Sequence, residues 1–351
     1  MMTVSVIIPT YERPDELRRC LATLLRQTAL PTELIVVDDG GLGQIPLGEE
    51  LARAGVRCRY VKKDRPGLTE SRNAGIEIST GDVIVFLDDD VTLEPGFIEG
   101  LARAYARDPE QRIGGVGGVI EPERPLTASR RVRYLFDRIF LLSGPVEGRV
   151  LRSGAFVSFG TTPYPIDGER EVHFLPGCAQ SYRREVFETM RFTEGYRDHA
   201  FGEDKDFSCG VAQRWRLVVT PAARCRHHHA APMRPDHWTF GRKRIVGRYL
   251  FYRRHVRKNA ITRLLFWYSL SGYFVARTTI ALISFRRSEY RRLAGMFAGL
   301  AAIAAGRLPA EPPAAGSPAH SGAVRPSCAS PPAERGATRR GATRPGRASS
   351  R

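Results

Sequence analysis

Three consecutive aspartates, Asp88-Asp89-Asp90, stop an unbroken apolar run, Val83-Ile84-Val85-Phe86-Leu87. A run of that length without polar alternation fits a strand covered on both faces, as in the middle of a parallel sheet. An open α/β sheet binds its ligands outside the carboxyl ends of its strands. The place of the acids therefore constrains both the fold and where its function can sit.

The rest of the first 237 residues repeats the pattern. Apolar runs alternate with helical segments, the signature of an α/β domain with a mixed, mostly parallel sheet. Val4 to Ile8 reads as a strand ending at Pro9, and Pro14-Asp15-Glu16 opens a helix whose apolar face is Leu17, Leu21, Leu24 and Leu25. Leu34 to Val37 and Cys58 to Val61 read as strands, Thr69 to Ile78 as a helix, and Ile113 to Ile120 as a Gly-rich strand. From Glu121 to Val172 the text is basic, aromatic and rich in Gly and Pro, too polar for a second core. It reads as a long insertion near the site. Helices at Arg184 to Met190 and Glu203 to Gln213 follow, and Leu217-Val218-Val219 is the last clear strand.

The chain carries 54 Lys and Arg against 37 Asp and Glu, a net charge of +17, which first suggests an anionic partner. The excess is not spread evenly. Residues 238–306 hold fourteen Lys or Arg against Glu289 alone, and residues 307–351 hold eight Arg against two Glu, leaving residues 1–237 at −2. Six cysteines without C-x-x-C spacing predict reduced thiols, a cytosolic site and no zinc knuckle. The amino terminus starts with a strand and shows no signal-peptide pattern.

Three loops after strands could converge: Thr10-Tyr11-Glu12-Arg13, Asp38-Asp39-Gly40 and Asp88-Asp89-Asp90. Adjacent carboxylates at the end of a buried strand repel one another unless something positive neutralises them, and a hard divalent cation with oxygen ligands does so. Alone, the triplet would fit a solvated turn or the cap of the helix that Pro95 starts. The neighbouring loops turn the balance toward a site.

The ordered set Val4-Ser-Val-Ile-Ile-Pro-Thr-Tyr11, Glu33-Leu-Ile-Val-Val-Asp-Asp-Gly40, Gly67-Leu-Thr-Glu-Ser-Arg-Asn-Ala-Gly75 and Gly81-Asp-Val-Ile-Val-Phe-Leu-Asp-Asp-Asp90 resembles the family 2 glycosyltransferases of GT-A fold. The likeness continues through Leu175-Pro-Gly-Cys178 and Gly202-Glu-Asp-Lys-Asp-Phe207 to about His229. Each motif alone is weak, whereas their order and spacing are specific. The resemblance implies that Pro9, Tyr11, Glu12 and Asp39 hold the base and ribose of a nucleotide sugar. A carboxylate suits the N–H and hydroxyl donors found there. It implies that Arg72 faces the diphosphate, that Asp88 and Asp90 form a D-x-D pair for ribose and metal, and that Asp89 shares the nucleotide contact. Asp38 is the weaker candidate beside Asp39, with a structural role in the loop as the alternative.

Displacement at an anomeric carbon needs a carboxylate to take the acceptor's proton. The resemblance gives that role to Asp204, with Glu203 orienting the acceptor or tuning its neighbour. A helix N-terminal acidic pair is the plainer reading of the same two residues. In His227-His228-His229, alternation from Pro221 through Ala223 and Cys225 puts His227 on the buried phase of an edge strand. Related enzymes supply such a histidine to the metal, Mg²⁺ or Mn²⁺. Processive relatives carry Gln-x-x-Arg-Trp far downstream, whereas Gln213-Arg214-Trp215 follows Asp204 too closely. Transfer of one sugar per event, with inversion, is the expectation.

The expected organisation is a catalytic domain over 1–237 (donor half 1–120, acceptor half 121–237), a basic helical region over 238–306 and a disordered Pro/Ala/Arg-rich tail over 307–351. A dinucleotide-dependent oxidoreductase would need G-x-G-x-x-G after the first strand, where Pro9-Thr10-Tyr11-Glu12-Arg13 stands instead. The basic carboxyl segment also admits a non-enzymatic nucleic-acid or membrane binder, but it lacks a recognisable nucleic-acid fold, and no nucleic-acid partner is expected. Leu264 to Phe285 has spanning length, yet Arg277 near its middle favours a helix lying on an anionic membrane surface. A homo-oligomer interface is the alternative. The expected partners are a nucleotide-sugar donor and a glycan or lipid-linked acceptor, at the cytoplasmic face of the plasma membrane.

Overall fold

The computed structural model describes residues 2–121, 127–162, 166–194, 202–228 and 236–308. Four strands, β1 (Val4–Thr10), β2 (Glu33–Asp38), β3 (Arg57–Lys62) and β4 (Val83–Leu87), lie parallel in the order β3-β2-β1-β4. β1, β2 and β4 are buried at every residue, as their unbroken apolar runs require, while β3 at the edge is half-exposed. Helices α1 (Pro14–Leu24), α2 (Gly48–Arg53) and α3 (Leu68–Ile78) connect them. β1 runs two residues beyond its expected end at Ile8. Pairing with β4 stops at Ile7, so Pro9 continues the ladder only toward β2, where its missing N–H is tolerated.

The other half of the sheet is mixed. β5 (Val91–Leu93), α4 (Phe97–Ala106), β6 (Ile113–Ile120), β7 (Arg170–Val172), β8 (Ala179–Arg183) and β9 (Arg216–His227) complete it, so that the described order is β3-β2-β1-β4-β8-β6-β9-β5, with β7 also on β9. β8 is antiparallel to both β4 and β6, and β6 is parallel to β9. β9 reaches well past the expected Leu217 to Val219. A register shift against β6 carries it around Pro221 and on to His227, so His227 pairs with β5 and does not lie on an edge strand.

Alternate residues of each central strand feed two cores. Val6 and Ile8 pack with Leu17, Leu21 and Phe97 on one face, and Ile7 and Phe86 with Tyr182, Phe187 and Phe192 on the other. Phe86 has ring contacts with all three of the latter, and truncating it to alanine costs about 3–5 kcal/mol.

The segment expected to hold no core makes a small one. After the exposed helix α5 (Ala128–Ile139), Val150, Phe156 and Phe159 pack with Phe174, Cys209 and Phe251. Helices α6 (Val186–Thr189), α7 (Glu203–Val211), α8 (His237–His255), α9 (Ala260–Ser284) and α10 (Arg287–Ala304) follow. α8 and α10 cross at close range because a Cβ on Gly241 would collide with Arg292 O, and one on Gly295 with Trp238 O. Arg277 does not face outward. It meets Glu289 at 3.2 Å across the α9–α10 contact, and Glu289 also holds Arg292 at 3.3 Å. Among the described residues no helix is long and apolar enough to cross a membrane. None of the five described cysteines is in a disulfide. His229 and the tail beyond residue 308 lie outside the described residues.

Candidate active site

In the turn after β4 the three aspartates take different partners. Asp89 turns back into the protein, accepting from Thr10 Oγ1 at 2.9 Å and from Arg13 Nη1 at 3.1 Å. It is therefore not grouped with Asp88 and Asp90. Asp88 and Asp90 gather with His227, their ligand atoms all within 4.8 Å of one another. The register explains this: Val91 pairs with His227, which brings Asp90 Oδ1 to 2.9 Å from His227 Nε2. Burial works against a charge on His227, but its hydrogen bonds to Asp90 and Cys178 prevail and push its pKa up to about 11. Burial raises Asp88 to about 6 despite the opposing charges of Arg72 and His227. Two carboxylates at this spacing suit a hard divalent cation, and His227 would join them as a ligand on giving up its proton to the incoming charge.

Arg72 reaches the same place from α3. Its guanidinium is 3.4 Å from Asp88 Oδ1, 3.3 Å from Gly177 O and 3.9 Å from Glu203 Oε1, and its side chain is only 2% exposed. Nε and Nη1 have no hydrogen-bond partner among the described residues, which leaves donors for an anion.

Glu203 and Asp204 open α7 after Gly202, whose φ of 92° is a left-handed conformation that favours glycine. A Cβ on Gly177 would strike the Asp204 carboxylate, so the Leu175-Pro-Gly-Cys178 turn is what lets Asp204 stand in the cleft. Lys205 Nζ lies 3.3 Å from Asp204 Oδ2. Burial and the adjacent Asp204 charge raise Glu203 above the ordinary carboxylate range, against the pull of Arg72.

Arg72, Asp88, Glu203, Asp204, Lys205 and His227 line one open cleft of about 420 Å³, and Asp90 is joined to it through His227 without lining it. Ser158 and Phe159 close another side of it. Pro9, Tyr11, Glu12 and Asp39 are not among its lining residues. Asp39 ties the β2 and α3 loops together, accepting from Gly67 N at 2.8 Å and Ser71 Oγ at 2.7 Å beside Lys63. Asp38 is wholly buried and accepts from Gly40 N, Leu42 N and Tyr60 Oη, the structural role weighed for it. His228 Nε2 meets Thr92 Oγ1, away from the acid group. Sequence reasoning assigned no role to Arg13, Lys205, Ser158 or Phe159. The position of Lys205 beside Asp204 was a usable signal, and the other three offered none.

A sheet of this order, with a cation-suited triad and a buried arginine at its carboxyl edge, defines a GT-A-like α/β enzyme. The chain belongs to glycosyl transferase family 2, whose family model matches residues 5–191. It is 33% identical over 189 residues to a glucosyl-dolichyl phosphate glucuronosyltransferase of Haloferax volcanii, covering 53% of this chain and 54% of that one. It thus spans about half the length of that relative. Among solved structures, S. aureus TarS 1-349 in complex with UDP-GlcNAc matches with TM-score 0.53 at 16% identity, over 86% of this chain and 82% of the other. The mannosyltransferase PcManGT of Pyrobaculum calidifontis, in complex with GDP-Man and Mn²⁺, matches with TM-score 0.51 at 16% identity, over 86% of each chain. At these identities the two structures carry the fold. A divalent cation is consistent with the chain's Asp-rich site.

Proposed function

We propose that this glycosyltransferase moves one sugar per event, with inversion, from a nucleoside diphosphate donor to a hydroxyl of a glycan or lipid-linked acceptor in cell-envelope or exopolysaccharide assembly. The observation that carries this reading is the convergence of Arg72, Asp88, Glu203, Asp204 and His227 on one cleft. Arg72 pairs with the donor diphosphate through the donors left without partners. Asp88, Asp90 and His227 hold the cation, which when bound neutralises diphosphate charge. Asp204 takes the proton of the attacking hydroxyl while Lys205 fixes its carboxylate. Glu203, beside Asp204 at the start of α7 and raised above the ordinary carboxylate range by burial and the Asp204 charge, orients the acceptor or tunes its neighbour. Pro9, Tyr11, Glu12 and Asp39 serve the base and ribose at the neighbouring edge of the sheet. Gln213-Arg214-Trp215 stands at the opposite end of β9 from His227, which supports the non-processive reading. The Haloferax relative's name supports a lipid-linked acceptor.

The catalytic unit works against an anionic membrane surface at the cytoplasmic face. Thirteen of the sixteen large apolar side chains most exposed among the described residues lie on α5, α9 and α10 or at Phe285, and Arg286-Arg287 and Arg291 accompany them. Each basic residue at such a surface contributes about 1 kcal/mol.

The test is a panel of nucleotide sugars with Mg²⁺ or Mn²⁺, read as nucleoside diphosphate release. At least one donor is expected to be hydrolysed or transferred with the metal and not with chelator. No release from any donor and no nucleoside diphosphate binding would overturn the proposal.

A further inference from the structure

Beside the catalytic cleft lies a second cavity, of about 360 Å³, walled by α5, α7, α8 and α9. Its cations are Arg130, Arg133, Lys205, Arg244 and Arg248, against the single acid Asp137. That acid is already engaged, since Arg133 Nε bonds both of its oxygens at 2.9 and 3.0 Å. Arg244 and Arg248 are one turn apart on α8 and share a face. Arg248 is 9% exposed, its Nη2 makes one long bond of 3.3 Å to Ser269 Oγ, and its Nε has no hydrogen-bond partner. Tyr273 lies under both, its ring centroid 4.8 Å from the Arg244 guanidinium and 5.9 Å from that of Arg248. A buried guanidinium with an unused donor, facing further cations across a cavity, is a cost to the fold unless an anion enters.

The two cavities share Ser158 and Lys205, and Lys205 holds Asp204. We infer that this basic cavity is an acceptor subsite for a phosphate group, seated by Arg248, Arg244 and Arg133, with the acceptor hydroxyl presented to Asp204. The inference rests on the transferase reading above and names the substrate class for it: a phosphate-bearing acceptor. Guanidinium forks match phosphate oxygens in pairs, which a neutral sugar could not exploit. A sugar linked to a polyisoprenyl phosphate is the favoured source, its phosphate held in the cavity and a hydroxyl of its sugar giving its proton to Asp204. The helix that supplies Arg130 and Arg133 turns Val132, Leu135 and Ile139 outward at 57–70% exposure, an apolar ledge for a chain leaving the cavity.

The experiment measures binding of four probes to the full chain by calorimetry: farnesyl phosphate and farnesol in detergent, and glycerol phosphate and inorganic phosphate in buffer. Farnesyl phosphate is expected to bind and farnesol not, with affinity at least tenfold weaker in Arg248→Gln, partly restored in Arg248→Lys, and unchanged in the charge control Arg112→Gln at the far end of β6. Arg133→Gln, on a half-exposed side chain, repeats the test should Arg248→Gln fail to fold. Tighter binding of farnesyl phosphate than of glycerol phosphate assigns a lipid-linked source, and the reverse a phosphorylated glycan. Indifference of every phosphate probe to both substitutions overturns the subsite, as does displacement of the probe by a nucleoside diphosphate, which would make the cavity part of the donor site. Donor-panel activity of the wild-type enzyme alongside such a result leaves the transferase reading standing and removes only the subsite. A dead donor panel with Arg248-dependent phosphate binding does the reverse.

Discussion

His255 Nε2 lies 2.6 Å from Asp206 Oδ1, both side chains being almost fully buried, and Arg254 Nη1 holds the other oxygen at 2.8 Å. Through this pair α8 grips α7 within a turn of Asp204. His255→Ala leaves a buried carboxylate with one partner fewer and is expected to lower stability by about 2–4 kcal/mol, read by chemical denaturation. A shift of α7 also misplaces the base, so turnover should fall about tenfold or more at near-normal donor affinity. Wild-type stability and turnover in this variant would show that α8 is only appended.

Asp88 makes cation binding depend on pH. Its carboxyl is pushed up to about 6, so it is largely ionised at pH 7 and largely protonated at pH 5. The thermal stabilisation given by Mn²⁺ with a nucleoside diphosphate is expected at pH 7 and strongly reduced at pH 5. Without metal the sign reverses. An unfolded aspartate titrates at about 3.9, so the folded chain holds an extra proton between roughly 4 and 6. This group's contribution to stability is therefore lost as pH rises through that window. A metal-induced shift that is equal at both pH values would remove Asp88 from the site.

The donor half was legible because its signals are local. An apolar run ending in acids fixes a parallel strand and its carboxyl end, and β4 falls where Val83 to Leu87 placed it. The resemblance implied Asp88 and Asp90 as a pair, but no local pattern shows that Asp89 turns to Thr10 and Arg13 or that Val91 pairs with His227, more than a hundred residues away. The insertion misled for the same reason. Phe156 and Phe159 find their partners in Phe174 and Phe251, which no local pattern announces. Arg277 counted in the sequence against a span and for a helix on the membrane surface, while its partner Glu289 on the next helix could not be seen there.

Membrane attachment, proposed from the exposed apolar residues of α5, α9 and α10, has two separable parts. High salt should release part of the protein from membranes by screening the arginines, and detergent should release the rest by freeing the apolar face. Solubility at low salt together with indifference to anionic vesicles would make these helices an oligomer interface instead.

The central claim is that one cleft binds a metal-assisted donor through Asp88, Asp90 and Arg72 and performs transfer through Asp204. The most direct measurement compares donor affinity and turnover in Asp204→Asn and Asp90→Ala. Asp204→Asn is expected to keep near-normal affinity and lose about a hundredfold or more in turnover, the cost of a missing general base. Asp90→Ala should instead lose the metal-dependent part of the affinity. Equal loss of binding in both variants, or full turnover in Asp204→Asn, would contradict the assignment of the base.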